Sequence, residues 1–460
     1  MHRQYLSEDT IAAVATGMGS SGIGIIRISG PEAVSVASKI FTPKGSQNLE
    51  TCESHKLLYG HIVDPQTAQR VDEVLVSKMK APHTYTREDV VEINCHGGIV
   101  PMQKTLALVL QEGVRLAEPG EFTKRAFLNG RLDLTQAEAV MDIIGAKSEK
   151  NLQLSLYQLE GALSKSIDAM EDTLIDLLSF IEANIDYPEY DIEEVSETRL
   201  VETVSALVKK TKALLEGAQT GRIYKEGIAT LILGEPNVGK SSLLNALLMS
   251  ERAIVTEIPG TTRDIIEETV TIQGIPFKLI DTAGIRETDN IVEQIGVDKA
   301  VDWIERADLI LFMHDINKPI DAEDQALLDL VANRQTLYLA NKADNLNTAD
   351  EGKLGSPWMP ISVLEGHNID RLKEQMAAVV LSGKVSAESD FLITNVRHIR
   401  LLELFQRALE QALETLDSGM PLEMISIDLQ DALAYLREIS GKQIDEAVIH
   451  RIFENFCVGK

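Results

Sequence analysis

The sequence predicts a multidomain protein that combines α/β parts with an all-α part. Its 460 residues are enough for about three domains of roughly 150 residues each. Short apolar strands alternate with helical stretches in two separate regions, whereas two other regions show only the 3.6-residue spacing of helices. A chain of this length can bury more than one core, so we expect no disulfide or structural metal to be needed.

Residues 1–122 carry strand-like runs that are separated by glycine and proline. The clearest runs are Gly24–Ile28, Asp72–Val76 and Asp89–Ile93. Helical stretches follow at Pro31–Ile40 and Pro101–Gln111. This alternation predicts an N-terminal α/β domain.

Residues 123–221 and 383–460 show helical periodicity. In the first segment the apolar stripes are Leu174, Leu177, Leu178 and Ile181, and then Val201, Val204 and Val208. In the second they are Leu402, Phe405, Leu409, Leu413 and Leu416, and then Leu429, Leu433, Leu436 and Ile439. Neither segment is long enough to bury its stripes alone. We therefore expect one discontinuous helical domain, with the intervening residues inserted into it as a separate domain.

Residues 222–382 alternate between short apolar strands and helical stretches. The strands are predicted at Ala229–Leu233, Ala307–Phe312, Thr336–Ala340 and Met359–Ser362. A further segment, Thr269–Ile280, has the pattern of a hairpin that turns near Gly274. The alternation predicts a mostly parallel sheet covered by helices.

The charge balance limits the ways in which the protein can bind nucleic acid. There are 44 Lys and Arg against 71 Asp and Glu, a net charge of −27. Bulk electrostatic binding needs a surplus of cations, so a nucleic-acid substrate requires local basic groups or a basic partner. Three scattered cysteines indicate a reducing compartment. The N-terminus has no secretory signal pattern and no apolar run would span a membrane, so we expect a cytoplasmic protein.

A phosphate-binding loop follows the first strand of residues 222–382. Gly234-Glu-Pro-Asn-Val-Gly239-Lys240-Ser241 lies between this strand and an apolar helical run. In this context the backbone N–H groups wrap a β-phosphate, and the helix N-terminus adds its dipole. We expect Lys240 to neutralise the β- and γ-phosphate oxygens and the Ser241 hydroxyl to bind Mg²⁺.

Three further motifs occur in the order expected for a GTPase. Asp281-Thr-Ala-Gly284 suits an aspartate that acts on Mg²⁺ and a glycine that meets the γ-phosphate. Pro259-Gly-Thr-Thr-Arg-Asp264 offers a threonine for the Mg²⁺ shell. The carboxylate in Asn341-Lys-Ala-Asp344 can accept hydrogen bonds from the N1–H and N2–H₂ groups of guanine, which adenine lacks. Ser362–Leu364 is predicted to be a loop that supports the base.

The residue after Gly284 is Ile285, which cannot orient water as the glutamine of Ras-like GTPases does. The sequence reveals no arginine finger either, so another cation must offset the transition-state charge. The side-chain carbonyl of Asn237 could bind a monovalent ion near the phosphates. The residues alone leave open whether Asn237 does this or is simply a turn residue.

Together with these motifs, three segments resemble the MnmE (TrmE) family of tRNA-uridine modification GTPases. They are His83–Gly98, Pro119–Asp133 and the terminal Cys457-Val-Gly-Lys460. The resemblance extends from about Thr10 to Lys460. It implies an N-terminal tetrahydrofolate-binding α/β domain at 1–122, a helical domain in two parts at 123–221 and 383–460, and an inserted Ras-like G domain at 222–382.

The resemblance also implies a function and partners. The chain would form a homodimer through its N-terminal domains and a heterotetramer with a separate FAD-containing protein, MnmG (GidA). Together they would add an aminomethyl or carboxymethylaminomethyl group to C5 of the wobble uridine of certain tRNAs. The one-carbon unit would come from 5-formyl- or 5,10-methylene-tetrahydrofolate. Such a partner would carry the basic surface that this acidic chain lacks.

The resemblance further implies roles for individual residues of the G domain. Potassium would be bound by Asn237, Thr256, Ile258 and Thr261, Mg²⁺ by Ser241 and Thr262, and Glu293 would orient the attacking water. The GTP-binding set would be Asn237, Val238, Gly239, Lys240, Ser241, Ser242, Thr256, Glu257, Ile258, Pro259, Gly260, Thr261, Thr262, Asp281, Thr282, Ala283, Gly284, Asn341, Lys342 and Asp344.

For the folate, the resemblance implies Arg27, Glu92, Arg131 and Lys460 as binding residues. Arg131 replaces a lysine of some family members, which keeps the charge but changes the hydrogen-bond geometry. Cys457 is either inert or part of the modification chemistry.

The sequence also allows three other interpretations. Cys95-His96 could be a nucleophile pair, but a strand end before the Gly97-Gly98 turn is favoured. The alternative function is a ribosome-assembly type of GTPase without covalent chemistry, which the N-terminal residues Arg27, Glu92 and Arg131 disfavour. A membrane-remodelling GTPase is disfavoured by the absence of a basic amphipathic helix or a lipidation signal.

Overall fold

The computed structural model describes residues 9–17, 19–186, 197–250, 268–281, 302–345, 355, 357–381 and 393–460. The chain divides into two compact units. The first comprises Met1–Met141, Gln158–Asp186 and Leu429–Lys460, and the second comprises Asp142–Tyr157 and Tyr187–Asp428. This division differs from the four predicted segments, so the domain boundaries after residues 122, 221 and 382 stay predictions.

In the described part of the first unit, seven strands form one sheet in the order β3-β4-β5-β6-β2-β1-β7. The strands are β1 (Ile11–Val14), β2 (Ile23–Ser29), β3 (Phe41–Pro43), β4 (Lys56–Val63), β5 (Arg70–Met79), β6 (Val90–His96) and β7 (Arg115–Leu116). Neighbours are antiparallel except for the parallel pair β1 and β7. Every predicted strand of this region is confirmed to within a few residues.

Helices α1 (Ala33–Ile40) and α2 (Ile99–Gln111) pack on this sheet. Ala33, Val36, Ala37 and Ile40 are buried and follow the spacing i, i+3, i+4 and i+7, so α1 presents one apolar face. This face joins Ile26 and its neighbours of the sheet in a single core. The two predicted helices are therefore confirmed.

The remaining helices of the first unit bring together residues from both ends of the chain. They are α3 (Glu121–Leu128), α4 (Leu134–Ile144), α6 (Ala162–Asp186), the end of α12 (Leu422–Ser440) and α13 (Glu446–Glu454), with α5 (Glu149–Leu159) crossing into the second unit. Phe127 and Leu134 form a buried cluster with Phe453 and Phe456. In α6 the buried side chain of Glu171 pairs with Arg437 at 3.0 Å. The predicted stripe of α6 is confirmed, because all four of its residues are buried.

In the described part of the second unit, six strands form a sheet in the order β13-β12-β11-β8-β10-β9. The strands are β8 (Ile228–Leu233), β9 (Glu268–Ile272), β10 (Ile275–Asp281), β11 (Leu309–Asp315), β12 (Thr336–Asn341) and β13 (Met359–Pro360). All pairs are parallel except the hairpin of β9 and β10, which turns at Gly274 with φ +81°. Every residue of β11 is buried, as expected for a central parallel strand.

Besides most of α5, the described ranges of the second unit form the helices α7 (Glu197–Glu226), α8 (Lys240–Ser250), α9 (Ala322–Val331), α10 (Ile369–Leu381) and α11 (Val396–Asp417). Helices α7 and α11 contact each other, which pairs one helix from each predicted helical segment. No helix in the described ranges is long and apolar enough to cross a membrane.

Two predicted strands of the second unit are confirmed with shifted ends, and one residue of a predicted helical stripe was wrong. The strand predicted at Ala307–Phe312 begins at Leu309, and the strand predicted at Met359–Ser362 ends at Pro360. In α7 the predicted stripe residue Val201 is 43% exposed, and Leu200 is buried instead. The other two stripe residues, Val204 and Val208, are buried as predicted, so the buried face of α7 includes Leu200 in place of Val201.

Truncating Phe277 should destabilise the second unit. Phe277 is fully buried in the core between the sheet and its helices. We expect Phe277→Ala to lower the free energy of unfolding by about 3–5 kcal/mol, because a large cavity remains. Hydrogen exchange of the β8 and β10 amides measures this locally. Met249→Ala is the control, since Met249 is 82% exposed. Unchanged protection in Phe277→Ala would contradict the assignment of this core.

Candidate functional site

The loop between β8 and α8 contains two glycines whose positions exclude a side chain. Gly234 has φ +147°, and a Cβ there would lie 2.2 Å from the carbonyl oxygen of Met313 in β11. Gly239 has φ +104°, and a Cβ there would lie 2.5 Å from Nδ2 of Asn341. Asn237 has φ 63°, a left-handed conformation that asparagine tolerates better than most residues. The loop therefore lies closely over the carboxyl ends of neighbouring strands.

Lys240 begins α8 and its side chain turns back into the loop. Its Nζ donates hydrogen bonds to the carbonyl oxygens of Gly234 at 2.8 Å and Glu235 at 2.7 Å. Ser241 and Ser242 follow in the exposed first turn of the helix. This combination of an ammonium group, a glycine-containing loop and a helix N-terminus suits a phosphate group.

Asn341 links the phosphate-binding loop to the loop after β13. It is the last residue of β12 and is 3% exposed. Its Nδ2 donates to the carbonyl oxygen of Val238 at 2.7 Å, and its Oδ1 accepts from the N–H of Val363 at 3.2 Å. The sequence motif does not reveal this role, because the bond to Val238 joins residues 103 positions apart.

Asp344 lies beside the predicted base-supporting loop. Its Oδ1 accepts a hydrogen bond of 2.9 Å from the hydroxyl of Ser362, which is fully buried. A carboxylate held in this way presents acceptors in a defined direction, as recognition of the guanine N1–H and N2–H₂ edge requires. The structure thus brings together Asp344 and Ser362, as predicted.

Lys342, which lies between Asn341 and Asp344 in the sequence, pairs with an aspartate that the sequence analysis missed. Its Nζ lies 2.7 Å from Oδ2 of Asp315, the last residue of β11. Burial alone would raise the pKa of the Asp315 carboxyl, but the hydrogen bonds from Lys342 and Asn317 lower it below its ordinary value. Asp315 therefore remains ionised and holds the lysine over the ends of β11 and β12. A polar residue at the end of an apolar strand is the sequence signal for it.

Several predicted residues lie outside the described residues. They are Thr256, Glu257, Ile258, Pro259, Gly260, Thr261, Thr262, Thr282, Ala283, Gly284 and Glu293. Asp281 is described only by its backbone, which ends β10 and pairs in register with Ile232 of β8. Of the predicted Mg²⁺ and K⁺ ligands, the described part of the chain therefore includes Ser241 and Asn237.

A second cluster lies on the sheet of the first unit. Arg27 of β2 and Glu92 of β6 are directly opposite in register, and Nε of Arg27 lies 2.8 Å from Oε1 of Glu92. The guanidinium carbon of Arg27 also lies 5.6 Å from the ring centroids of both Tyr85 and Phe122. Arginine stacked on aromatic rings in this way gains a cation–π attraction.

Arg131 approaches the same cluster through Tyr85. Its guanidinium carbon lies 4.7 Å from the Tyr85 ring centroid, and its Nη1 donates to the Tyr85 carbonyl oxygen at 3.3 Å. Tyr85 therefore joins Arg27 and Arg131, which are far apart in the sequence. The sequence analysis missed Tyr85, although an aromatic residue within His83–Gly98 was available as a signal.

The C-terminal tetrapeptide packs beside Arg27. Nη1 of Arg27 donates to the carbonyl oxygen of Gly459 at 3.2 Å. Gly459 has φ +93°, and a Cβ there would lie 2.2 Å from the carbonyl oxygen of Val14. Cys457 is exposed and Lys460 is half-buried. The structure thus brings the chain terminus to the cluster that contains Arg27, Glu92 and Arg131.

Cys95 and His96 do not form a nucleophile pair. They end β6 and lie on opposite faces of the sheet. Burial raises the pKa of the Cys95 thiol to about 11. His96 is exposed, and its hydrogen bond of 2.6 Å to Asp72 raises the pKa of its imidazole. The interpretation as a strand end is confirmed.

The cysteines should differ in their reaction with iodoacetamide at pH 8. A thiol whose pKa is raised to about 11 has only about a thousandth of its population as thiolate at that pH, and the thiolate is the nucleophile. We expect rapid alkylation of the exposed Cys457 and negligible alkylation of Cys95 in the native chain. Mass spectrometry of peptides measures both. The unfolded chain is the control, in which both cysteines should react, and equal native rates would contradict the burial of Cys95.

Two family models match the chain. The model described as "MnmE helical domain" matches residues 134–457, and the model described as "GTP-binding protein TrmE N-terminus" matches residues 10–131. Among solved structures, a crystal structure of an Aquifex aeolicus Era variant bound to GDP.AlF4- is 26% identical, covering 39% of this chain and 66% of that chain with a TM-score of 0.28.

The chain is also similar to curated proteins named tRNA modification GTPase MnmE. That of Alkaliphilus metalliredigens (strain QYMF) is 46% identical over 458 residues, 98% of this chain and 99% of the relative. That of Geobacillus kaustophilus (strain HTA426) is 47% identical over 458 residues, again 98% and 99%. Since these matches extend over nearly the full length of both chains, this chain belongs to the MnmE family of tRNA modification GTPases.

Proposed function

We propose that this chain hydrolyses GTP and acts, with an FAD-containing partner, in adding a (carboxymethyl)aminomethyl group to C5 of the wobble uridine of certain tRNAs. The observation that carries the GTPase part is the phosphate-binding loop with Lys240 turned into it, beside a carboxylate oriented by Ser362. The tRNA part is supported by the names of relatives that match over nearly the full chain.

For hydrolysis we propose a potassium ion in place of an arginine finger. Asn237 occupies the loop in a left-handed conformation, which is compatible with either a cation ligand or a turn. Thr256, Ile258 and Thr261 would complete the ion's shell. Mg²⁺ would be bound by Ser241 and Thr262, and Glu293 would orient the water.

For the one-carbon unit we propose a tetrahydrofolate bound at the cluster on the first sheet. The pterin ring requires a carboxylate for its N–H edge, and Glu92 is half-buried and pairs with Arg27, whose guanidinium lies against the Tyr85 ring that Arg131 also contacts. The glutamate tail of the folate requires cations, for which Arg131 and Lys460 are available. Cys457 is exposed in the adjacent tail and is proposed to act in the modification chemistry.

We further propose that the protein is cytoplasmic. We also propose that it forms a homodimer through the N-terminal sheet. Leu57 and Tyr59 on β4 and Leu75 on β5 are exposed, and Tyr59 lies opposite Leu75 in register. An exposed group of large apolar residues on one sheet face favours contact with another protein surface. Because the chain has a net charge of −27, the FAD-containing partner, MnmG (GidA), would supply most of the basic surface for tRNA.

Nucleoside mass spectrometry of tRNA from cells depleted of this protein tests the proposed function. We expect loss of the C5-substituted wobble uridine, with recovery on expression of the wild type but not of Lys240→Ala or Glu92→Ala. Glu112→Gln is the control, because it breaks an ion pair with the half-exposed Lys39 elsewhere in the first unit. An unchanged wobble nucleoside after depletion would refute the modification role and favour an assembly type of GTPase.

Replacing K⁺ by Na⁺ at equal ionic strength tests the potassium proposal. We expect hydrolysis at least about tenfold faster in K⁺, since the ion would take the place of an arginine finger, which is worth roughly 10³–10⁵ in rate where one is used. In Asn237→Ala the rates of GTP hydrolysis in K⁺ and in Na⁺ should be equal. Glu293→Ala should bind GTP normally but hydrolyse it slowly. Equal rates of the wild type in both salts would remove potassium from the mechanism.

A further inference from the structure

Three carboxylates meet where the phosphate-binding loop lies beside the start of α9. They belong to Glu235 in the loop, Asp321 and Asp324, and one oxygen of each lies within 4.8 Å of the others. Asp321 is the N-cap of α9, and its Oδ1 accepts hydrogen bonds from the N–H groups of Glu323 at 2.9 Å and Asp324 at 3.0 Å. Two segments 86 positions apart in sequence thus contribute oxygen atoms to one place.

Asp324 is the unusual member of this cluster. Its side chain is 1% exposed. Oδ2 pairs with Nδ1 of His314 at 2.9 Å, whereas Oδ1 makes no hydrogen bond. The other ring nitrogen of His314 is 3.0 Å from the carbonyl oxygen of Lys318. A buried carboxylate oxygen without a partner is costly unless a cation or a donor reaches it.

Two side chains next to the cluster can carry positive charge, His314 beside Asp324 and Lys318 beside Glu235. Nζ of Lys318 lies 3.5 Å from Oε2 of Glu235, but the lysine side chain is 54% exposed, so solvent screens this pair. Three close carboxylates therefore repel one another, and this repulsion would be relieved by a cation.

We propose that Glu235, Asp321 and Asp324 bind a hard divalent cation beside the phosphate-binding loop. Carboxylate oxygens from three residues suit Mg²⁺, Mn²⁺ or Ca²⁺, with water completing the shell. These residues differ from Ser241 and Thr262, so the site is separate from the Mg²⁺ that accompanies the nucleotide. The ion connects the loop after β8 to the N-terminus of α9 and thereby stiffens the loop near Gly234. The proposal does not depend on the tRNA chemistry.

Binding of Mn²⁺ alone to the full chain, without nucleotide or Mg²⁺, tests the site. Electron paramagnetic resonance of free Mn²⁺ measures the bound fraction. We expect saturable binding in the wild type that weakens at least tenfold in Glu235→Gln and in Asp321→Asn, since each removes a charged ligand. Asparagine is as good an N-cap as aspartate, so Asp321→Asn should fold.

Glu323→Gln is the matched control, because it removes the same charge from the same helical turn without altering the cluster. Wild-type affinity in Glu323→Gln with loss in the two cluster variants supports the proposal. Equal affinity in all four proteins would show diffuse binding to an acidic surface and overturn it, as would the absence of binding to the wild type. Competition by Ca²⁺ or by Mg²⁺ identifies the preferred ion, whereas failure of both to compete also overturns the proposal.

Trp358 allows the position of the ion to be tested. Its ring centroid lies 5.7 Å from that of His314, which contacts Asp324. Tb³⁺ bound at the cluster should therefore emit on tryptophan excitation. We expect this emission to fall strongly in Trp358→Phe while Mn²⁺ affinity is kept. Undiminished emission in Trp358→Phe would put the ion elsewhere and contradict the assignment.

Discussion

The close approach of the phosphate-binding loop to the ends of β11 and β12 is the constraint on which the nucleotide site depends. It requires glycine at 234 and 239, because a Cβ at either position would collide with β11 or with Asn341. The same approach lets Asn341 bond to the Val238 carbonyl oxygen. The loop, the strand ends and the base-supporting segment are thereby joined by hydrogen bonds, and a preorganised loop meets a phosphate without further ordering cost.

Three acidic groups lie together behind this loop. Glu235 follows Gly234 directly, so its position is set by the backbone that Gly234 makes possible. Asp321 must remain at the start of α9 to cap its N–H groups, and Asp324 is buried one turn later. Each of the three residues is compatible with its own loop or helix, but together they concentrate negative charge in a small volume. A divalent cation would convert that repulsion into a link between the two elements.

The first unit is assembled in a different way, by contacts between residues far apart in sequence. Arg27 touches Glu92 across a strand pair and the Gly459 carbonyl oxygen, which is 432 positions away. Tyr85 lies against both Arg27 and Arg131. The C-terminal tetrapeptide therefore belongs to the same cluster as the sheet residues. A structural change in the tetrapeptide should alter the position of Arg27, and the reverse. This arrangement supports a single binding region built from three parts of the chain.

Local signals in the sequence were sufficient to predict most strands and helices, the hairpin at Gly274 and the loop that ends at Lys240. Each of these depends on the periodicity or turn preference of neighbouring residues. The bond of Asn341 to Val238, the position of Tyr85 between two arginines and the burial of Leu200 instead of Val201 could not be predicted in this way. They depend on which surfaces come into contact when the sheets and helices pack, and those contacts are between residues that are distant in the sequence. The family motifs predicted which residues act, whereas only the tertiary structure showed which side chains contact them.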